Sequence, residues 1–373
     1  MICPQPLQKG DKVAVICLSS GVIGEPYCAH EKELGEKKLR EMGLEPVFTR
    51  HALTGADFIL SHPEARAADL KEAFLDDSVK GIITSIGGIE TFRTFPYLME
   101  DEEFINAVRQ HPKFFLGFSD TTNNHLMFHR LGLQTFYGQA FMCDIAELSG
   151  DMLPYSKAQF ESCFAPYHGR KITPSDVWYE ERKDFSAAAV GTAPVSHKEE
   201  HGYELLQGAP VFEGELLGGC IDSMGEMLMG GNAERYSEIL ADLFMACPRL
   251  REDFLRQADI TGKYSIFPTA EEWKGKILFA ETSEEMPSPQ LLREYLEALK
   301  TRGVFANING IIVGKPVNEV NYEEYKKVWT DVVNDPKLPI LYNVNFGHAA
   351  PRAILPYGAN ANVDAEKQEI TLL

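Results

Sequence analysis

At 373 residues the chain is long for one ordinary α/β domain and suits two, each able to bury a core of its own. A formal net charge of −19 and a pI near 5.0 would repel nucleic-acid phosphates and anionic membrane headgroups, which argues against both as partners. Seven cysteines, an odd number without a C-x-x-C pair, read as free thiols in a reducing compartment and leave no structural zinc site.

Met1 to Gly10 has neither a basic start nor an apolar core, so no signal peptide is read there, and no later apolar run is long enough to span a membrane. A soluble, cytoplasmic protein is expected. From Lys12 the chain alternates short apolar runs with amphipathic stretches. Lys12–Cys17 reads as a buried strand, Ala29–Met42 as a helix stopped by Gly43, and Glu45–Phe48 as a second strand. Ser61, Pro63 and Glu64 look like a helix start with a capping box, the helix running to about Leu75. Gly81–Ser85 is the next strand, followed by Gly87-Gly88 and a helical stretch through Leu98. Then Lys113–Phe118 ends at Ser119, and Asp120–Asn124 are helix-start residues leading into a helix closed by Gly132. Repeated βα units predict a parallel sheet covered by helices on both faces over residues 1–150, with ligands gathering at the strands' carboxyl ends.

Residues 151–208 turn polar and proline-bearing and read as linker and loops. A second, smaller α/β unit with β-rich ends is expected over 209–373. Its predicted elements are a strand at Gly214–Gly219, a helix at Asp222–Met229, a strand at Gly275–Ala280 ending at Glu281, a helix at Pro289–Arg302, a strand at Ile308–Val313, a helix at Tyr322–Val333, a strand at Pro339–Val344 and a hairpin-like tail.

Ser119 sits on a strand-turn-helix corner. Such a corner lifts a hydroxyl out of the sheet and aims the first N–H groups of the helix at whatever the oxygen attacks. The G-x-S-x-G pattern fails at Thr121, and a serine in this place could equally cap the helix. Serine catalysis also needs a base and a group to orient it. Of ten histidines, His348 alone directly follows a strand's carboxyl end beside a glycine, and Glu281 ends an apolar strand in the same unit. Gly87-Gly88 could offer N–H groups to an oxyanion or a phosphate, or be a plain turn. Neither G-x-G-x-x-G nor G-x-x-x-x-G-K-[ST] occurs, so dinucleotide and nucleoside-triphosphate sites are not indicated. His197-Lys198-Glu199-Glu200-His201 matches the zinc-peptidase pattern H-x-x-E-H, but no apolar stripe holds a helix there. It is set aside, and no metal or cofactor is expected.

Leu116–Thr122, followed by Gln134–Gly138, resembles the nucleophile segment of the LD-carboxypeptidase family of serine peptidases. The resemblance continues in order through Gly87-Gly88, Gly214–Gly219, Leu278–Glu281 and Phe346–His348. It implies a flavodoxin-like first domain and a swivelling-type second domain. It also implies a triad of Ser119, Glu281 and His348, an oxyanion hole from the backbone N–H groups of Gly88 and Asp120, metal-free hydrolysis of an amide next to a free carboxylate, and a homodimer. Murein-recycling members usually carry arginine before the glycine pair and are shorter, whereas here Ile86 holds that position. Both features look more like the microcin C self-immunity branch, which cleaves aminoacyl-nucleotide amides. That branch often has asparagine where this chain has Cys220, and it has an aromatic loop residue near the place of Trp178. Gly87 and Trp178 are therefore expected to line a substrate pocket. Two alternatives stand beside this reading: a murein tetrapeptide LD-carboxypeptidase, and a non-catalytic small-molecule binding module.

Overall fold

The computed structural model describes residues 1–231 and 241–373. Strand β1 (Lys12–Ile16) leads through helix α1 (Ala29–Glu41) to β2 (Glu45–Phe48), α2 (Ala56–Ser61), α3 (Pro63–Leu75) and β3 (Val79–Thr84). Helices α4 (Phe95–Leu98) and α5 (Glu102–Gln110), strand β4 (Phe114–Gly117), helix α6 (Thr122–Leu131) and strand β5 (Phe136–Tyr137) complete the first unit. These strands lie in the order β2-β1-β3-β4-β5, all parallel, which is the flavodoxin arrangement. Helices on both faces explain why β1 and β4 are continuous apolar runs rather than alternating ones. Ser61 does not open α3 as a capping box. It closes α2, because helical winding is what buries Ile59 and Leu60, and His62 becomes the N-cap with its Nδ1 2.7 Å from Glu64 Oε1.

Residues 151–208 hold more than loops: α7 (Pro154–Glu161), β6 (Lys171–Ile172), β7 (Val177–Tyr179), β8 (Ser196–Lys198) and β9 (Glu204–Gln207). β7 and β8 pair with each other, while β6 and β9 form the two edges of a second sheet. Strands of two to four residues are too short to show a period in sequence.

That second sheet is built from β10 (Val211–Cys220), β11 (Lys276–Glu281), β12 (Gly310–Gly314) and β13 (Ile340–Val344), parallel at its centre. Around them come α8 (Ile221–Met229), α9 (Ala241–Ala246), α10 (Pro248–Leu255), α11 (Gln257–Lys263), α12 (Pro289–Thr301) and α13 (Tyr322–Val333), and later β14 (Leu355–Pro356), β15 (Asn360–Asp364) and β16 (Glu369–Leu372). The full order is β6-β16-β15-β10-β11-β12-β13-β9, eight strands against six in the first sheet. β14 is the exception. It leaves the second sheet and pairs antiparallel with β5 at the edge of the first, Leu355 opposite Tyr137. The crossing segment, residues 345–354, therefore runs between the carboxyl ends of the two sheets. Leu126 and Tyr137 of the first unit share one apolar core with Phe279 and Tyr357 of the second. Among the described residues no helix is long and apolar enough to cross a membrane.

Candidate active site

Ser119 follows β4 with φ +65, a left-handed conformation that is costly for a residue with a side chain and is held here by what surrounds it. The N-cap of α6 is Thr121, so Ser119 is not the helix cap. Its own N–H points to the hydroxyl of Tyr137 at 3.3 Å. Gly87 lies directly against it: a Cβ on Gly87 would come 2.6 Å from Ser119 Cβ and 2.7 Å from its Oγ. The next residue, Gly88, has φ +147, and a Cβ there would meet Ser19 Oγ at 2.3 Å, so only glycine fits without displacing the turn. Among the described residues, neither the Gly88 N–H nor the Asp120 N–H donates a hydrogen bond within the protein.

The side chain of Asp120 joins these parts. Its Oδ2 accepts from Glu90 N and Thr91 N, each at 2.9 Å, and its Oδ1 accepts from Asn123 Nδ2 at 2.9 Å. Burial pushes this carboxyl up to about 6. Glu90 in turn accepts from Ser20 N at 3.0 Å and pairs at 2.9 Å with Arg66, which is wholly buried. A buried network of charges thus fixes the glycine turn to the start of α6. On the far side, His125 donates and accepts within the core, 3.0 Å from Gly117 O and 2.7 Å from Thr135 Oγ1; burial drives it down to about 3, so it is a neutral structural histidine.

Glu281 and His348 come from the second unit. Glu281 ends β11 with its side chain fully buried, and its Oε2 accepts from both His348 Nδ1 at 2.7 Å and His348 N at 3.0 Å. Its other oxygen accepts from Tyr137 Oη at 2.6 Å. Tyr137 therefore bridges the backbone of Ser119 to the carboxylate that orients the imidazole, a role its motif in sequence did not announce. Gly347 permits this contact, because a Cβ there would lie 2.2 Å from Glu281 Cγ. The imidazole packs edge-on against Phe118, the neighbour of Ser119, with ring centroids 5.0 Å apart. Among the described residues no hydrogen bond yet joins it to Ser119 Oγ. Arg352 fixes the crossing segment: it donates to the carbonyls of Gly347 and His348 and binds Asp144 Oδ1 at 3.0 Å.

Glu284, half exposed, reaches the imidazole from the other side, with Oε2 3.0 Å from Nε2. That contact is an ion pair by distance but lies off the hydrogen-bonding angle. Burial opposes a charge on His348, but the carboxylates of Glu281 and Glu284 outweigh it and raise the group to about 10. Cys220, at the end of β10, is buried behind this pair; its Sγ with Glu281 and His348 is, among the described residues, the one group of three donor atoms within 4.8 Å. Because the Glu281 and His348 atoms are already bonded to each other, the trio serves a hydrogen-bonded pair rather than an open ligand set. His197 and His201 are drawn apart, His197 stacking on Trp178 and His201 on Tyr322.

Next to the glycine turn, Ile86 lines a cavity of about 870 Å³ together with Tyr27, His30, Glu31, Met142 and Phe185. Tyr27 is 65% and Phe185 53% exposed, and His30 Nε2 lies 3.0 Å from the Phe185 carbonyl, holding that loop against α1. Trp178, expected in a substrate pocket, does not line this cavity. The residue is 9% exposed, its ring stacked at 4.3 Å on that of His197 with Lys315 Nζ 5.1 Å from its centroid. Pairing in the β7-β8 hairpin is what turns it inward, and so short a hairpin leaves little trace in sequence. Phe185, seven residues later in the same polar stretch, lines the cavity and belongs to no motif in the sequence.

Comparison with known proteins finds similarity over nearly the whole chain. The family model for the LD-carboxypeptidase N-terminal domain matches residues 13–138, and that for the LD-carboxypeptidase C-terminal domain matches residues 256–363. The crystal structure of an MccF-like protein from Streptococcus pneumoniae in complex with AMP is 45% identical over 98% of this chain and 99% of that one, with a TM-score of 0.88. A Bacillus subtilis (strain 168) protein named probable murein peptide carboxypeptidase is 26% identical, covering 98% of this chain and 93% of its own length. The Escherichia coli microcin C7 self-immunity protein MccF is 23% identical, covering 98% and 94%.

Proposed function

Because the chain belongs to the LD-carboxypeptidase family and is thus a hydrolase of the carboxypeptidase type, we propose that it is a serine amidase acting on aminoacyl-nucleotide amides through Ser119, His348 and Glu281. In this reading Ser119 Oγ attacks the acyl carbon while His348 takes its proton and returns it to the leaving nitrogen. Glu281 holds the imidazole by Nδ1 and balances its charge, and the N–H groups of Gly88 and Asp120 receive the oxyanion. The observation that carries the nucleotide half is the apolar cavity that Ile86, the residue before the glycine pair, lines together with the exposed rings of Tyr27 and Phe185. Its volume suits a small ligand. An arginine before the glycines would suit a second carboxylate instead, and the AMP bound by the Streptococcus pneumoniae relative supports the same choice.

Mass-spectrometric assay of aspartyl sulfamoyl adenosine beside a murein tetrapeptide tests this reading. Release of sulfamoyl adenosine with the tetrapeptide intact is expected; the reverse would make the protein a murein carboxypeptidase. Base stacking contributes on the order of 1–3 kcal/mol, so Phe185→Ala should raise KM for the nucleotide substrate by roughly tenfold, while Trp178→Ala should lower the melting temperature and leave KM nearly unchanged. A larger KM effect from Trp178→Ala than from Phe185→Ala would return the base to the β7-β8 hairpin. EDTA should leave turnover unaltered, since no step uses a metal. Loss on chelation restored by zinc would sink the serine mechanism.

A further inference from the structure

His348 lies between two carboxylates, one on each ring nitrogen, and the two are built differently. Glu281 is buried and tied by Tyr137 and the His348 backbone, whereas Glu284 has a side chain 48% exposed and can be reached from solvent. Nε2, which Glu284 faces, is the nitrogen that must accept the Ser119 proton. The imidazole is 93% buried by side chain, 7% remaining exposed, and Nε2 makes no hydrogen bond in this arrangement. Other charged or titratable groups near it are Tyr137 on β5, Cys220 on β10, Arg352 on the crossing segment, and Glu181 and Glu285 at the mouth. Glu181 is raised first by its own burial and then by Glu284, with His348 and Arg352 acting the other way. Arg352 is committed to Asp144 and two carbonyls.

We propose that Glu284 is a removable counter-ion of the catalytic base: it pairs with His348 Nε2 in the free enzyme and turns to the ammonium group of an entering acyl donor, leaving Nε2 to Ser119. The substrate class this selects is an acyl group with a free ammonium near the scissile carbonyl, as in an aminoacyl-nucleotide, and in that respect it rests on the function proposed above. When Glu284 turns away, the proton on Nε2 loses its partner and passes to solvent water. Nε2 then accepts the Ser119 proton as the Oγ–acyl bond forms, and gives it to the leaving nitrogen as the C–N bond breaks. The shifts agree with this: His348 stands raised to about 10, and Glu284 is brought down to about 2, burial working against the charge and His348 outweighing it.

Labelling of Ser119 by a fluorophosphonate needs a neutral base and no particular substrate. In the wild-type protein its rate should climb with pH from 6 to beyond 9. Glu284→Gln should move this limb down by about one unit or more and raise labelling at pH 7 roughly tenfold, since an opposite charge at this range shifts a group by one to three units. An unchanged profile overturns the counter-ion role. The ammonium is tested with aspartyl sulfamoyl adenosine and its N-acetyl derivative: wild type should favour the free amine by about tenfold or more in kcat/KM, and Glu284→Gln should lose that preference. Equal rates in the wild type overturn the ammonium half. Cleavage of neither overturns the nucleotide reading and the ammonium half with it, while the labelling profile still decides the counter-ion.

Discussion

Ser119→Ala and His348→Ala should each lower turnover about 10⁴-fold or more, and the double variant should be little worse than either. The geometry gives the reason. Tyr137 contacts the Ser119 backbone and the Glu281 carboxylate, and Glu281 holds both nitrogens of the His348 residue that face it, side chain and backbone. Such a unit has no partial function to lose twice. Steady-state kinetics on the hydrolysed substrate, with circular dichroism to confirm folding, would check it; losses that multiply would mean that the serine and histidine act separately. Glu281→Gln should cost less. A glutamine oxygen can still accept from His348, and Tyr137 Oη can reverse to accept from the amide, so the ring stays oriented while the charge that stabilises the imidazolium is gone.

Gly88→Ala should lower kcat by 10²- to 10³-fold with KM within a few-fold, equal to roughly 3–4 kcal/mol of transition-state stabilisation. Two costs coincide at this position. The φ of +147 is one that side chains rarely adopt, and the added methyl would meet Ser19 Oγ at 2.3 Å. Ser19 Oγ also accepts from Glu90 N at 3.2 Å, so relief of the clash shifts the turn that Asp120 and Arg66 hold in place. The Gly88 N–H would then leave the line to the oxyanion, which exists only in the transition state, and kcat would fall before KM rises. A kcat within threefold of wild type, in a variant that melts normally, would remove Gly88 from the oxyanion hole.

The carboxylate proposed to govern the base and the wall proposed to receive the nucleotide each join residues far apart in the chain. Glu284 stands 64 positions before His348, and Phe185 stands 99 positions after Ile86, by subtraction of their numbers. Neither pair forms a motif, so neither Glu284 nor Phe185 carries a signal of its own in the sequence.

What the sequence by itself determined was everything with a local cause. Strands buried on both faces show as apolar runs, so β1, β4, β11 and β13 could be placed within a residue or two. Glycines at φ values closed to side chains marked the turns after β3 and α6 and before His348. The corner at Ser119 and the ordered motifs gave the family and the candidates Ser119, Glu281 and His348 together. What only the tertiary structure decided was the set of contacts with no local energy behind them. β6 and β9 are strands because the second sheet has edges to fill, not because their few residues have a period. Trp178 faces inward because its ring stacks on His197 of the paired strand and meets Lys315, while Phe185 is left open beside Ile86. His348 comes to lie against Phe118, the neighbour of Ser119, because β14 pairs with β5 and carries the segment bearing it across from one sheet to the other. Pairing across more than two hundred residues is paid by burial of the whole core, a term that no stretch of sequence carries alone.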